Sequence, residues 1–473
     1  MTSRPVPGVL AFATLPDARR AATAARPADH AVAAVGAVCF KVFLAAQFLS
    51  LTRLFFSEHL GGGIAPLASY AGVLSVALLL PAVASYGLRA GSLFGTLVPQ
   101  ARLWLSVVLA LCMGLFVYGW LVRGFAINAA VHDLAPYLVV LAAVVLGSVR
   151  RAWADVDPYL FALFLAALAV NAIAMADMTT VVSEADADVR AARDVLGYRT
   201  QWALAFWPLL LLTARLRPPR VALLIFAGWF FVLGQQVLFQ KRSPTVRAVL
   251  FMLIFLLILP LLRRRSQALD HRARGRGMAA TATGERRTAA MIVGVGAVAV
   301  VMALTVAPWL FRGQATGLAR RLSGQSYSGG PAAMLTWENE RFFEARMFLR
   351  TVQPHEVAFG RGFGGYFVAE ESGWGAWMED LHQVASRALH VGVLMPFFKG
   401  GLLLAVAYYS GLALVLLRGR RSLADPFAAA AFFVVLLHAV FLLQESWFSL
   451  SSSFDHVMVG LCMGYLLSRE RDA

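Results

Sequence analysis

The chain has 473 residues, 59% hydrophobic and 14% charged, where soluble domains average roughly 45–50% apolar and about 25% charged. This excludes a disordered chain, a collagen-like repeat and an ordinary soluble enzyme. The net charge of +16 comes from 42 Lys and Arg against 26 Asp and Glu; on a soluble protein it would suggest a nucleic-acid partner, but here it first has to be tested as membrane topology.

In chain order, residues 1–30 carry Arg4, Arg19, Arg20 and Arg26 among Pro and Ala, without an apolar core followed by a small-residue cleavage site. They read as a cytoplasmic tail. Apolar blocks long enough to cross a hydrocarbon core of about 30 Å then recur near 31–55, 64–88, 103–122, 131–149, 158–176, 200–214, 220–239, 245–262, 289–311, 391–417, 427–444 and 454–468. The expected fold is an all-α, polytopic membrane bundle of about twelve spans. With the N-terminus inside, the cytoplasmic segments hold 24 basic residues and the outer ones 17, with Lys41 inside a span, while the acids divide 9 to 17. The positive charge is thus mostly an orientation signal. The expected organisation is a tail at 1–30, spans one to nine over 31–311 with an Arg/Gly/Ala-rich cytoplasmic linker at 263–288, a large periplasmic loop at 312–389, and the last three spans with a short cytoplasmic tail at 390–473. Cys39, Cys112 and Cys462 all fall in apolar blocks without metal-ligand spacing and read as small core residues.

Basic clusters on the outer side run against the charge rule. Arg199 stands at the outer end of the sixth span, and Lys241-Arg242-Ser243 forms a short outer turn between the seventh and eighth. Such residues either anchor at the headgroups or bind an anion there. The 78 residues from Arg312 to Leu389 make the longest outer connection, and loops of that length are functional or disordered. Their many aromatic residues argue against disorder. Residues 337–350 read as an amphipathic helix ended by Pro354, with Trp337, Arg341, Ala345 and Phe348 on one face. Arg341 is either a cation for a ligand or the ion-pair partner of Glu338 and Glu344. Phe359-Gly360-Arg361-Gly362-Phe363-Gly364-Gly365 follows. Without a surrounding βαβ unit it is no dinucleotide fingerprint; its glycines permit a tight turn, either plain or with amides turned toward an anion beside Arg361. His390 is the last strongly polar residue before the tenth span, whereas His382, eight residues earlier, makes no metal-binding pair with it.

On these residues the chain resembles the O-antigen ligase and O-antigen polymerase superfamily of bacterial envelope glycosyltransferases. Members share about a dozen spans and one large periplasmic loop near the C-terminal end. That loop carries an arginine-bearing helix (here Arg341), a Gly-x-Gly-x-Gly turn (Gly360, Gly362, Gly364) and a histidine (His390) leading into a span with early glycines (Gly400-Gly401); Arg199 and Lys241-Arg242-Ser243 match the upstream outer arginines. In ligases the histidine is commonly followed by Asn, Ser or Gln, and the Val391 found here tilts the resemblance toward a repeat-unit polymerase. It implies transfer of glycan from an undecaprenyl-pyrophosphate-linked oligosaccharide to a glycan or lipid A core acceptor at the periplasmic face of the inner membrane, without nucleic acid, metal or another cofactor. The implied pyrophosphate ligands are Arg199, Lys241, Arg242, Arg341 and Arg361. The implied base is His390, with Glu340 or Glu344 as the alternative. The competing classes are a lipid-linked glycan flippase or other transporter, and a receptor that uses the loop for binding.

Overall fold

The computed structural model describes residues 27–51, 71, 74–89, 94–184, 224–225, 227–228, 231, 340–368, 385–386, 389, 391–423, 425–442 and 453–468. Nearly all of these are helical. The first helices are α1 (Pro27–Leu51), α2 (Leu79–Arg89, behind the 3₁₀ turn Val76–Leu78) and α3 (Pro99–Val117, continued by the π-helical turn Tyr118–Val122). Then come α4 (Ile127–Gly147) and the long α5 (Arg150–Glu184). Residues 340–386 contribute α6 (Glu340–Thr351), α7 (Pro354–Phe359) and an antiparallel pair of two-residue strands, β1 (Phe367–Val368) and β2 (Ala385–Ser386). The last helices are α8 (Met395–Gly419), α9 (Pro426–Phe441) and α10 (Ser453–Leu466).

This is a helical membrane protein. Four stretches, Pro99–Val122, Ile127–Gly147, Arg150–Val170 and Gly392–Gly419, are long and apolar enough to cross a bilayer, and four shorter apolar helices accompany them. These helices coincide with the first five and last three apolar blocks of the sequence. Of the sixth to ninth blocks, only 224–225, 227–228 and 231 fall among the described residues, as does none of the linker at 263–288.

The centre of the bundle is the crossing of α4 and α10. A Cβ on Gly464 would collide with the Val144 carbonyl oxygen, and one on Gly147 with the Leu461 backbone. Gly460 sits equally close to Val140 and Ala143. Gly460 and Gly464, four residues apart, therefore let two backbones touch, the small-residue device by which helices associate where water supplies no hydrophobic drive. Gly464→Val should lower the melting temperature of the detergent-solubilised protein. Overpacking of this kind costs about 1–3 kcal/mol, and more where the obstructing atom is backbone.

Two ends of the bundle can be told apart by their contacts. At one, Val98 N donates to Leu467 O (3.1 Å), Ser468 Oγ to Ser148 O (3.0 Å), and Tyr465 OH to Asp425 Oδ2 (3.0 Å), while Trp153 packs edge-on against Phe427 and Tyr465. The other, hereafter the loop end, gathers the 123–126 connection, α6, α7, the glycine turn, residues 391–394 and Leu442.

Candidate functional site

The glycine turn is wedged between two interrupted helices at the loop end. In α8 the backbone leaves the helical region at Gly400 (φ −132°, ψ 15°) and Gly401 (φ 60°, ψ −159°). In α3 the last turn widens to π geometry over Tyr118–Val122. Each interruption frees carbonyls that a regular helix would use, and in a membrane such groups must find partners inside the protein. The turn supplies them. Arg361 N donates to Phe398 O (3.0 Å), Gly362 N to Lys399 O (2.9 Å) and Phe363 N to Leu115 O (3.4 Å).

The approach requires bare backbone on both sides. A Cβ on Gly119 would strike the Phe363 carbonyl, and one on Gly360 would strike the Gly400–Gly401 peptide. Phe363, completely buried, stacks obliquely on Tyr137 of α4 with ring centroids 5.3 Å apart. The next two residues meet a buried ion pair. Gly364 N donates to Asp133 Oδ2 (2.7 Å), while Lys399 Nζ donates to that same oxygen (2.6 Å) and to Gly365 O (2.7 Å).

Arg361 is spent within the loop. Its Nε donates to Glu356 Oε2 (3.2 Å), one terminal nitrogen to Tyr366 O (2.8 Å), and the other to Thr351 O (3.0 Å) and Thr351 Oγ1 (2.8 Å). The guanidinium also lies 5.7 Å from the Phe348 ring centroid and 5.9 Å from that of Phe398. Of the two uses the sequence allows for this turn, the geometry matches the structural one: its amides and its arginine are directed at the protein. Glu356 is buried and also takes Arg123 at 3.6 Å, whose other terminal nitrogen lies 3.2 Å from His355 Nε2.

The arginine-bearing helix of the loop is seated on the same assembly. In α6, Ala345 and Phe348 are buried as its expected inner face, and Phe348 packs against Phe367, Phe397 and Phe398 at 4.9–6.1 Å. Glu340 and Arg341 form its first turn and Glu344 follows one turn on. The backbone on both sides of position 390 is fixed as well: Leu389 N donates to Met395 Sδ (3.1 Å) and Val393 N to Leu442 O (2.7 Å), with Leu389 and Val391 buried. His390 itself, His382, Arg199, Lys241 and Arg242 lie outside the described residues, as do the side chains of Glu340, Arg341 and Glu344. The structure thus brings the helix of Arg341, the Arg361 turn and the residues flanking His390 to one end of the bundle. Among the described residues, no group of three or more His, Cys, Asp or Glu is placed to hold a metal. The chain matches no protein-family model and no curated protein.

Asp133 and Lys399 do not emerge as site residues from the sequence pattern. The available signal is that Asp133 is the lone acid of α4 and Lys399 a lone charge in the first four turns of α8, and ionisable residues inside spans mark functional positions.

Proposed function

We propose that this protein is an integral membrane glycosyltransferase that polymerises undecaprenyl-pyrophosphate-linked oligosaccharide units at the periplasmic face of the inner membrane. The observation that carries the reading is the seating of α6 against the start of α8 through Phe348, Phe397 and Phe398. The helix that bears Arg341 and the chain on either side of His390 thereby lie at one end of the bundle. In this reading Arg341 joins Arg199, Lys241 and Arg242 around the pyrophosphate, where each charge-assisted hydrogen bond contributes about 1.5–3 kcal/mol net. These cations stabilise the leaving group as the glycosidic bond breaks, and His390 accepts the proton of the attacking sugar hydroxyl. Arg361, engaged inside the loop, holds the scaffold instead of the ligand.

A transporter would gather its ionisable groups near the bilayer midplane. Asp133 instead lies six residues from the first residue of α4, about 9 Å along the axis at 1.5 Å per residue, and its carboxylate accepts from Lys399 of α8 and from the Gly364 amide of the loop.

Purified protein in liposomes, given lipid-pyrophosphate-linked oligosaccharide, should release lipid pyrophosphate and build longer glycan without nucleotide sugar; absence of turnover sinks the reading. In a deletion strain, loss of long chains with single units retained marks the polymerase, and complete loss from lipid A core marks the ligase. Alkaline-phosphatase fusions near Gly330 should be active and those near Arg274 inactive, because the inside-positive charge split puts only the former outside.

A further inference from the structure

We infer that Asp133 and Lys399 are positioning residues, an ion pair that grips the glycine turn and thereby holds the outer loop in register with the start of α8. Its activity arm rests on the glycosyl-transfer reading, whereas the grip does not.

Both residues sit in apolar helices and are almost fully buried, Lys399 at 0% and Asp133 at 7% exposure. A charge in such surroundings persists only with partners. The partners chosen here belong to three separate chain segments. The Asp133 carboxylate accepts from the Lys399 ammonium of α8 and from the Gly364 amide of the loop, and the ammonium also donates to the Gly365 carbonyl. The Gly364–Gly365 segment is therefore held by both members of the pair, one at its donor and one at its acceptor. A hydrophobic pair of similar volume would fill the space between α4 and α8 without taking hold of the loop's backbone.

The hold is passed on along the chain. Arg361, three residues before Gly364, clasps Thr351 at the C-terminal end of α6 and Glu356 in α7. Lifting the turn would strip partners from Asp133 and Lys399 in an apolar setting and carry α6, with Arg341, away from α8. The ion pair thus makes this part of the loop a fixed wall of the site and not a lid.

The test exploits the fact that replacing a buried ion pair by apolar residues is often neutral for stability. The double variant Asp133→Leu/Lys399→Met is made in the full-length protein, together with Asp133→Asn. Docking is read from the labelling rate of Phe363→Cys by a membrane-impermeant maleimide in a Cys39→Ala background, since Phe363 is wholly buried only while the turn is docked. The double variant should melt close to the parent, label at least about tenfold faster through local opening, and lose turnover by a similar factor. Joining Arg123→Cys to His355→Cys with a bifunctional thiol reagent should then restore turnover, because those side chains meet across the docked loop. Unchanged labelling overturns the inference, as does faster labelling with full turnover. Should the double variant not fold, Asp133→Asn decides: labelling at the parent rate overturns the grip, and faster labelling supports it. If the parent itself shows no turnover, the glycosyl-transfer reading falls, and the labelling result alone supports or overturns the grip.

Discussion

His390→Ala should reduce turnover by about 10²–10⁴-fold, the usual contribution of a positioned proton acceptor, while binding of the lipid-linked donor survives. Leu389 and Val391 are both buried, and hydrogen bonds from Leu389 N to Met395 Sδ and from Val393 N to Leu442 O fix the chain on either side. The neutral imidazole is the form that can take a proton. His382→Ala should be far milder. Near-normal turnover in His390→Ala with none in Glu340→Gln would transfer the role of base to the carboxylate.

The eight apolar helices among the described residues were legible because burial in lipid demands long apolar runs, whereas their ends were not, because helices run on past the apolar block. Thus α5 extends from Arg150 to Glu184 around a block read at 158–176, and α3 begins at Pro99, ahead of a block read from 103. The amphipathic pattern at 337–350 gave the inner face of α6 correctly at Ala345 and Phe348. What the sequence left open was the use of the glycine turn. An arginine among glycines suits an anion as well as a clasp, and the choice depends on Thr351, Glu356 and Tyr366 standing within reach of Arg361. Nor does any local pattern announce that Gly400-Gly401 is a break in a helix, since glycine is common inside membrane helices. The pairing of Asp133 with Lys399 joins residues 266 positions apart, and it exists only once α4 and α8 have been brought together.

The glycine variants give the largest expected effect on the fold at the loop end. Gly401 (φ 60°, ψ −159°) and Gly360 (φ 66°, ψ −166°) occupy a backbone region that is essentially restricted to glycine. Each also faces the other's chain: a Cβ on Gly401 would meet the Ala358 carbonyl, and one on Gly360 the Lys399 carbonyl carbon. Gly401→Ala therefore adds backbone strain of about 1–3 kcal/mol to an overpacking cost of about 1–3 kcal/mol. Relief requires separating α7 from α8, which would break the bonds from Arg361 N and Gly362 N to the freed α8 carbonyls. The variant should expose the 354–366 segment to protease under conditions where the parent resists. Gly114→Ala is the matched control, since no atom lies within 4 Å of its added Cβ, and alanine there should match or slightly raise stability by helix propensity. If Gly401→Ala and Gly114→Ala resist protease equally, the turn is not wedged into the break in α8, and the loop is attached to the bundle in some other way.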